Sequence, residues 1–413
     1  MRILLAAIYP YAFLLLYLLI PFDNYVRVLP NILMAILVIA FPLVVKKKDF
    51  ARLKSLPVAA IFIFVLYLLI NSFASGRLAE DFNIIKKVLL AVGLVILYIP
   101  VNDEEKINRS IVFSSLAAIL FTVYNFVIIT HDSGNFAFGD SPQVVESLLI
   151  DRMYLGILST FSILISFKSI QARYHPNNNY HLANIVINVA FMILIVSKVS
   201  IAALVILLLI RQFYGARSIW KPIWAVLALG GLIGLFFLPA GAPNYNDTGL
   251  SKNEGELSSQ PAATPKVIQN SMTYELRAEI WQCGKTIIED HGFSLTGMGF
   301  ETTNNKLLSC YGTQIENPQK RARFIEEEYN THNQFLDFYM SAGFLALVLF
   351  LIFIIVSFLW NRKDFFPTAL LVLFIIYCSV ENVFHRQIGA YYVGFILIAL
   401  LLGMRSRENT EIK

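Results

Sequence analysis

The chain has 413 residues, of which 57% are apolar and 15% are charged, and its mean hydropathy is +0.64. Soluble globular proteins are roughly half apolar and a quarter charged, so this composition excludes an ordinary soluble enzyme. The net charge of +5 is small and spread along the chain, which excludes nucleic acid as the main partner. The composition predicts a membrane protein surrounded by lipids.

Apolar runs of nearly membrane-spanning length recur along the sequence. About 20 residues of helix cross a hydrocarbon core of roughly 30 Å, and only helices or closed barrels satisfy their backbone polar groups there. The runs lack the alternation of apolar and polar residues that barrel strands need. The sequence therefore predicts an all-α, polytopic integral membrane protein with about twelve transmembrane helices. The expected spans are residues 3–20, 28–45, 57–73, 84–101, 110–130, 153–167, 182–197, 199–213, 219–240, 335–360, 365–383 and 388–404.

Basic residues in the loops between these spans predict the orientation of the chain. An even number of spans places both termini on one side, and the short loops on that side hold most of the lysines and arginines. Such loops stay in the cytoplasm, so both termini are expected to be cytoplasmic. The expected organisation is transmembrane helices 1–9 in residues 1–240, a large periplasmic loop in 241–334, and helices 10–12 with a cytoplasmic tail in 335–413.

The predicted periplasmic loop has two parts. Residues 244–265 are rich in Asn, Gly, Ser, Glu and Pro and are expected to be disordered. A helix with an apolar stripe is expected next, capped by Ser271 or Thr273 and ending near Gly292. A Gly-Met-Gly turn at residues 297–299 and a charged run then lead into the tenth span.

Two of the three cysteines, Cys283 and Cys310, lie in this predicted loop. In an oxidising compartment a disulfide between them would close a loop of about 28 residues and stabilise it by roughly 3 kcal/mol. Two unpaired thiols are the equally open alternative. The six histidines show no metal-binding spacing, so neither a metal ion nor another cofactor is expected.

Several cations do not follow the tendency of basic residues to lie on the cytoplasmic side, and they fall on the predicted outer face. Cations held at a membrane surface against this bias indicate an anionic ligand. Lys198 interrupts an apolar run at a point where two helices are expected to turn, which favours a place in a polar cavity. Among these groups an imidazole is the natural candidate for a general base. The set consists of Lys86, Lys87, Arg152, Lys198, Arg277, His332 and Arg386.

Most of these residues also have a structural interpretation. The two lysines that open the fourth span could extend to the interface along their apolar stems. Arg152 could pair with its neighbour Asp151, and Arg386 could pair with Glu381 in the tight outer turn that both occupy. The histidine could be a simple hydrogen-bonding residue at the membrane interface.

The residues at the start of the tenth span resemble a known signature. His332, Asn333 and Leu336, followed by Gly343, resemble the His-Asn-x-x-Leu…Gly pattern of the O-antigen ligase and polymerase superfamily. His-Asn alone is a weak pattern, and three further elements of the same family precede it in order.

Upstream, Arg277 and Trp281 resemble the Arg-x-x-x-Trp helix of this superfamily, and residues 297–299 resemble its Gly-x-Gly turn. Lys198 follows Ser197 where the family usually has arginine after serine. The substitution keeps the positive charge and loses the bidentate fork of a guanidinium. With the twelve-span layout, the resemblance covers most of the chain.

The resemblance implies a multispan, metal-independent glycosyltransferase of a bacterial inner membrane. It would act at the periplasmic face on a glycan carried by undecaprenyl diphosphate. Arg277 would clamp the diphosphate, and His332 would take the proton of the acceptor hydroxyl, with inversion at the anomeric carbon. Asn333 and Trp281 would support these two groups. The residues expected to bind the diphosphate beside Arg277 are Lys198, Arg152, Arg386 and Lys87.

The acceptor stays open at this stage. A ligase that glycosylates lipid A core is the first expectation, and a polymerase that extends another lipid-linked repeat or an enzyme that glycosylates protein hydroxyls are alternatives. A transporter or flippase for polyprenyl lipids is a more distant alternative. It predicts charges along the spans and an internal repeat, whereas the spans hold few charges and no repeat is visible.

Overall fold

A computed structural model describes residues 2–23, 25–26, 28–101, 103–133, 148–171, 173, 175–214 and 276–402. Within these ranges the chain forms helices, turns and loops and no strand, which confirms the predicted all-α class. The expected ninth span, the low-complexity stretch and the two candidate caps at residues 271 and 273 lie outside the described residues.

The described ranges contain fourteen α-helices, numbered here in chain order. Helices α9–α11 are rich in polar residues and are called the polar lobe; the other helices form the apolar bundle. The helices are α1 Arg2–Leu19, α2 Val28–Val44, α3 Leu56–Ala74, α4 Leu78–Tyr98, α5 Glu104–Ser133, α6 Arg152–Ser169, α7 Asn177–Leu194, α8 Lys198–Arg211, α9 Leu276–His291, α10 Phe300–Gln314, α11 Pro318–Glu326, α12 Gln334–Asn361, α13 Phe365–Val380 and α14 Gln387–Leu401.

Side-chain caps explain where four of these helices begin. The first backbone N–H groups of a helix lack partners inside the helix, and a preceding Asp or Asn can accept from them. Such caps precede α6, α11, α12 and α13. The capping residues are Asp151, Asn317, Asn333 and Asp364.

The bundle has the length and composition of a membrane protein. Four described helices are long and apolar enough to cross a bilayer, and a fifth passes if α2 is joined to the bent 3-10 segment Lys47–Leu53. Each expected span except 219–240 coincides with a described helix, although several are too short or too polar to meet the same criterion. These helices indicate an integral membrane protein, and the count of twelve spans stays a prediction.

Helix α4 begins six residues earlier than the sequence predicts. It starts at Leu78, so Lys86 and Lys87 lie inside the helix and not at its entrance. The reason is Asp81, whose buried carboxylate accepts hydrogen bonds from the Ser72 hydroxyl at 2.8 Å and from the Phe300 backbone N–H at 2.7 Å. These partners allow a polar first turn to pack against the polar lobe.

Helix α12 is broken at Gly343, which adopts a φ of +88°. The loop between α9 and α10 pairs with the broken segment: the N–H groups of Met298 and Gly299 donate to the carbonyls of Met340 and Ser341 at 2.9 and 2.8 Å. A Cβ on Gly343 would lie 2.2 Å from the Leu295 carbonyl oxygen. Only glycine accommodates both this backbone angle and this close approach.

Polar side chains of α3 and its C-terminal turn satisfy the carbonyls exposed at this break. The Tyr67 hydroxyl donates to the Ala342 carbonyl at 3.1 Å, and the Asn71 amide donates to the Thr296 carbonyl at 2.8 Å. Arg77 donates to the Gly297 carbonyl at 2.9 Å. An unpaired carbonyl in an apolar surrounding is costly, so these bonds stabilise a helix break inside the bundle.

An aromatic core lies beneath the first turn of α12. The ring of Phe338 is 5.1 Å from Phe64, 5.0 Å from Phe350 and 6.0 Å from Phe384, measured between centroids. Such tilted and edge-on ring pairs contribute about 0.5–1.5 kcal/mol each beyond area burial. This core fixes the N-terminal end of α12 against the turn between α13 and α14.

A disulfide joins Cys283 of α9 to Cys310 of α10, with a Cα–Cα distance of 5.8 Å. The bridge resolves the alternative that the sequence left open. It belongs to a separate small core of the polar lobe that also includes Ile280, Tyr311 and Phe324. Helix α10 was missed by the sequence analysis, because it has no long apolar stripe.

Replacing Gly343 with Ala tests the helix break. The variant places a Cβ at positive φ, which alone costs about 1–2 kcal/mol, and sets it against the Leu295 carbonyl. Gly312→Ala is the matched control, since a Cβ added there would meet no described atom within 4 Å and alanine favours a helix interior. Thermal unfolding of the detergent-purified protein is expected to show a lowered Tm for Gly343→Ala only. Equal Tm values in both variants would contradict the described break.

Candidate functional site

The loop that leads into α12 holds His332 in a constrained backbone conformation. Its φ is +43°, a left-handed angle that few residues other than glycine adopt. The Asn330 side chain accepts from the His332 backbone N–H at 3.0 Å. Asn333 then caps α12 by accepting from the N–H groups of Phe335 and Leu336, each at 3.0 Å. These bonds fix the backbone on both sides of the imidazole.

The imidazole of His332 is paired with the carboxylate of Glu381. His332 Nδ1 lies 2.9 Å from Glu381 Oε2, and the Glu381 residue is 6% exposed. An ionised carboxylate only accepts hydrogen bonds, so Nδ1 carries the proton in this pair. Nε2 has no hydrogen-bond partner among the described residues and is left as the basic nitrogen of the neutral ring.

Glu381 belongs to the six-residue turn between α13 and α14, residues 381–386, which is called the 381–386 turn. Helix α13 ends at Val380, so Glu381 lies beyond the end of the helix. Asn382 follows and is fully buried; its Oδ1 accepts from the Asn333 backbone N–H at 2.7 Å and from the Thr331 hydroxyl at 2.9 Å. Consecutive residues of one turn therefore hold both the imidazole and the backbone beside it.

Helix α9 brings Arg277 and Trp281 to the same place. Residues four apart lie on one face of a helix, and both side chains point to this site. Arg277 Nε donates to the Val380 carbonyl at 3.1 Å, and Trp281 Nε1 donates to the Thr331 carbonyl at 3.0 Å. The Nη1 and Nη2 atoms of Arg277 have no hydrogen-bond partner in the described part of the chain, so its fork can receive an anion.

The charges around Glu381 favour its ionised form. Burial by itself would raise the pKa of this carboxyl group. The hydrogen bond and the charge of His332, together with the charges of Arg386 and Arg277, outweigh burial and lower the pKa of Glu381 below its ordinary value near 4.5. Glu381 is thus a stable anion that can support positive charge on the imidazole.

Of the other predicted cations, Arg386 is the last residue of this turn and Lys87 contacts it. Arg386 forms an ion pair with Asp151 at 3.1 Å and lies over the ring of Tyr154 at 5.8 Å. The alternative of a direct Arg386–Glu381 pair is therefore replaced by a pair with Asp151, although the two side chains still interact electrostatically. Lys87 donates to the His385 carbonyl at 2.5 Å.

The side chain of Arg152 and the residue Lys198 lie at the turn between α7 and α8. The sequence predicts a turn at Lys198, whereas the structure has the turn at residues 195–197, so Lys198 opens the following helix. Arg152 Nη1 lies 3.5 Å from the Ile195 carbonyl, and Lys198 is the first residue of α8. The hydroxyl of Ser200 lies 2.5 Å from that of Tyr377, one turn before Glu381, which ties the start of α8 to α13.

The structure thus brings together only part of the predicted set. Arg386 is the last residue of the 381–386 turn, His332 and Lys87 contact this turn, and Arg277 contacts Val380 just before it. Trp281 and Asn333 support the backbone of His332. Lys86 is exposed. The sequence analysis missed Glu381 as the partner of His332 and missed Asn382. The only signal was a Glu-Asn pair directly after an apolar run.

The O-antigen ligase family model matches residues 183–351. This confirms the resemblance to the O-antigen ligase superfamily. The matched segment runs from α7 into α12 and precedes the 381–386 turn, so Glu381 lies beyond it. No curated protein sequence matches the chain. The matched segment contains Lys198, Arg277, Trp281, His332 and Asn333.

Replacing Glu381 with Gln tests the electrostatics of the pair. Since folding lowers the pKa of Glu381, its ionised form stabilises the folded protein above pH 4.5, and this contribution is lost as the pH falls through the lower folded-state value. The difference in Tm between the wild type and Glu381→Gln is expected to be largest above pH 4.5 and to shrink on acidification. The exposed Glu327→Gln serves as the control. A difference that grows toward acid pH would contradict the lowered pKa.

Proposed function

We propose that this protein is a glycosyltransferase that transfers a glycan from undecaprenyl diphosphate to an acceptor hydroxyl. One observation carries the proposal: His332 pairs with the buried Glu381, while Arg277 contacts the preceding residue with its fork unoccupied by described residues. A candidate base therefore contacts Glu381, and a candidate anion-binding group contacts Val380, the residue before it. Transfer from a diphosphate carrier requires both.

In this reaction His332 acts as the general base. Nε2 takes the proton of the acceptor hydroxyl while the hydroxyl oxygen forms a bond to the anomeric carbon of the donor sugar. The bond between that carbon and the diphosphate oxygen breaks on the opposite side, and its electron pair leaves with undecaprenyl diphosphate. A single displacement of this kind inverts the anomeric carbon. Glu381 stabilises the imidazolium that forms.

Arg277 stabilises the charge that develops on the leaving diphosphate. A guanidinium fork matches two phosphate oxygens and is a permanent cation, so it can perform the task for which other enzymes use a divalent metal ion. Lys198 and Arg152 add positive charge from the turn between α7 and α8. Arg386 and Lys87 already contact protein atoms and act mainly by holding the 381–386 turn.

The proposal places the site at the periplasmic face of the inner membrane. The disulfide in the polar lobe supports this side, because such bonds persist in oxidising compartments. The cytoplasmic position predicted for the most basic loops supports it independently. The acceptor proposed first is lipid A core, and a lipid-linked repeat or a protein hydroxyl would use the same base and the same leaving group.

His332→Ala is expected to abolish transfer, because the acceptor hydroxyl loses its base. The variant is introduced into a strain that lacks the gene, and lipopolysaccharide is analysed on gels beside transfer by the purified protein. Loss of capped lipid A core with accumulation of lipid-linked chains is the expected result. His291→Ala, an exposed histidine of α9, is the matched control and should retain transfer. Near-normal transfer by His332→Ala would remove His332 from the mechanism.

Arg277→Lys is expected to reduce transfer strongly while the protein still folds. Lysine keeps the charge but loses the fork, and loss of one group that stabilises developing charge costs roughly 100-fold in turnover in comparable enzymes. Arg109→Lys is the control, since Arg109 is exposed and pairs only with Glu105 among described residues. Turnover of the purified Arg277→Lys protein equal to that of the control would show that Arg277 has a structural role only.

A further inference from the structure

A second imidazole and a second carboxylate form a pair beside the proposed active site. His385 Nε2 lies 3.0 Å from Asp337 Oδ2, and the Asp337 side chain is 2% exposed. The same oxygen accepts from the Gln334 side-chain amide at 3.0 Å. Gln334 in turn accepts from the Phe384 backbone N–H at 3.2 Å. Gln334 and Asp337 belong to the first turn of α12 and follow His332 closely.

The two pairs connect the same two segments in opposite directions. The segment around the start of α12 contributes the imidazole of His332 and the carboxylate of Asp337. The 381–386 turn contributes the carboxylate of Glu381 and the imidazole of His385. Each segment therefore gives one imidazole and receives another. The bond between His385 and Asp337 therefore joins the same two segments as the bond between Glu381 and His332.

The surroundings of the two histidines differ. His332 and Arg277 both act on Glu381, His332 through a hydrogen bond and Arg277 through its charge, which points to chemistry on an anionic substrate. The ring of His385 packs against the ring of Phe300 at 6.5 Å between centroids, and its backbone carbonyl accepts from Lys87. Aromatic and backbone contacts of this kind hold a side chain in place. His385 therefore has the environment of a structural support for the turn.

We infer that His385 and Asp337 are positioning residues that act on transfer through the His332–Glu381 pair. The inference rests on the proposed function and adds two residues to it. Glu381 and His385 stand only four positions apart in a turn of six residues, so a shift at one end of the turn moves the other. A displacement of about 1 Å at a catalytic group can cost roughly 100-fold in rate.

Steady-state kinetics of the full-length protein test this inference. His385→Leu removes the donor to Asp337, whereas His385→Gln places an amide N–H near the position of Nε2. His385→Leu is expected to lower kcat by about 10- to 100-fold with little change in the KM for the donor, because Arg277 still binds the diphosphate. His385→Gln is expected to restore most of kcat. A loss confined to KM, or equal losses in both variants, would overturn the positioning role.

A double-mutant cycle with Glu381→Gln shows whether His385 acts through Glu381. If it does, His385→Leu causes little further loss of kcat in the Glu381→Gln protein, because the contact that it positions is already impaired. Additive losses would overturn the inference. Asp337→Asn provides a second variant in case His385→Leu fails to fold, and it should show the same lack of additivity.

Chemical labelling separates failure of this inference from failure of the proposed function. Diethyl pyrocarbonate labels neutral imidazoles, and the labelling rate of the His332 peptide is measured by mass spectrometry without any substrate. His385→Leu is expected to change this rate at least about twofold in the same direction as Glu381→Gln. An unchanged labelling rate would overturn the inference, whatever the transfer assay shows. Absence of glycan transfer by the wild-type protein would refute the proposed function alone.

Discussion

The carboxylate of Glu381 accepts a hydrogen bond from His332, and the other elements of the site hold this pair or the backbone that carries it. Asn382 and Trp281 hold the backbone of the loop that carries the histidine. Arg277 approaches the residue before Glu381 and adds positive charge. The pair matters because it leaves Nε2 as the basic nitrogen of an imidazole whose partner is already an anion.

A polar site at the end of an apolar bundle requires that its irregular backbone be satisfied by protein groups. The break at Gly343 and the loop at residues 294–299 supply bonds to each other, and Tyr67 and Asn71 of α3 bind the carbonyls that remain. Without these partners each buried carbonyl would cost several kcal/mol in an apolar surrounding. The same arrangement fixes the direction of the first turn of α12, and therefore the position of the loop that precedes it.

Local patterns in the sequence predicted much of the architecture. Apolar runs predicted the helices of the bundle, and the amphipathic stripe predicted α9 as far as His291. Polar interruptions predicted the turn at residues 381–386 and a turn near Lys198, which the structure has a few residues earlier. Each of these features depends on neighbours within a few residues. The start of α4 was predicted too late, because its first turn is stabilised by the distant Phe300.

The partners within the site could not be predicted in the same way. Glu381 lies 49 residues after His332, and Asp151 lies 235 residues before Arg386, so no spacing rule connects them. The sequence analysis considered Asp151 as a partner of Arg152 and Glu381 as a partner of Arg386, whereas the structure pairs Asp151 with Arg386. Motif resemblance identified His332 and Arg277 because those residues carry a signature, whereas Glu381 follows the segment that the family model matches.

The protonation state of His332 tests the account most directly. Nitrogen-15 NMR of the full-length protein with labelled histidine reports which ring nitrogen carries the proton, and the signals of His332 are identified by their loss in His332→Ala. The account predicts that neutral His332 is protonated at Nδ1, which faces Glu381, and bare at Nε2. A neutral ring with its proton on Nε2 would contradict the proposed base.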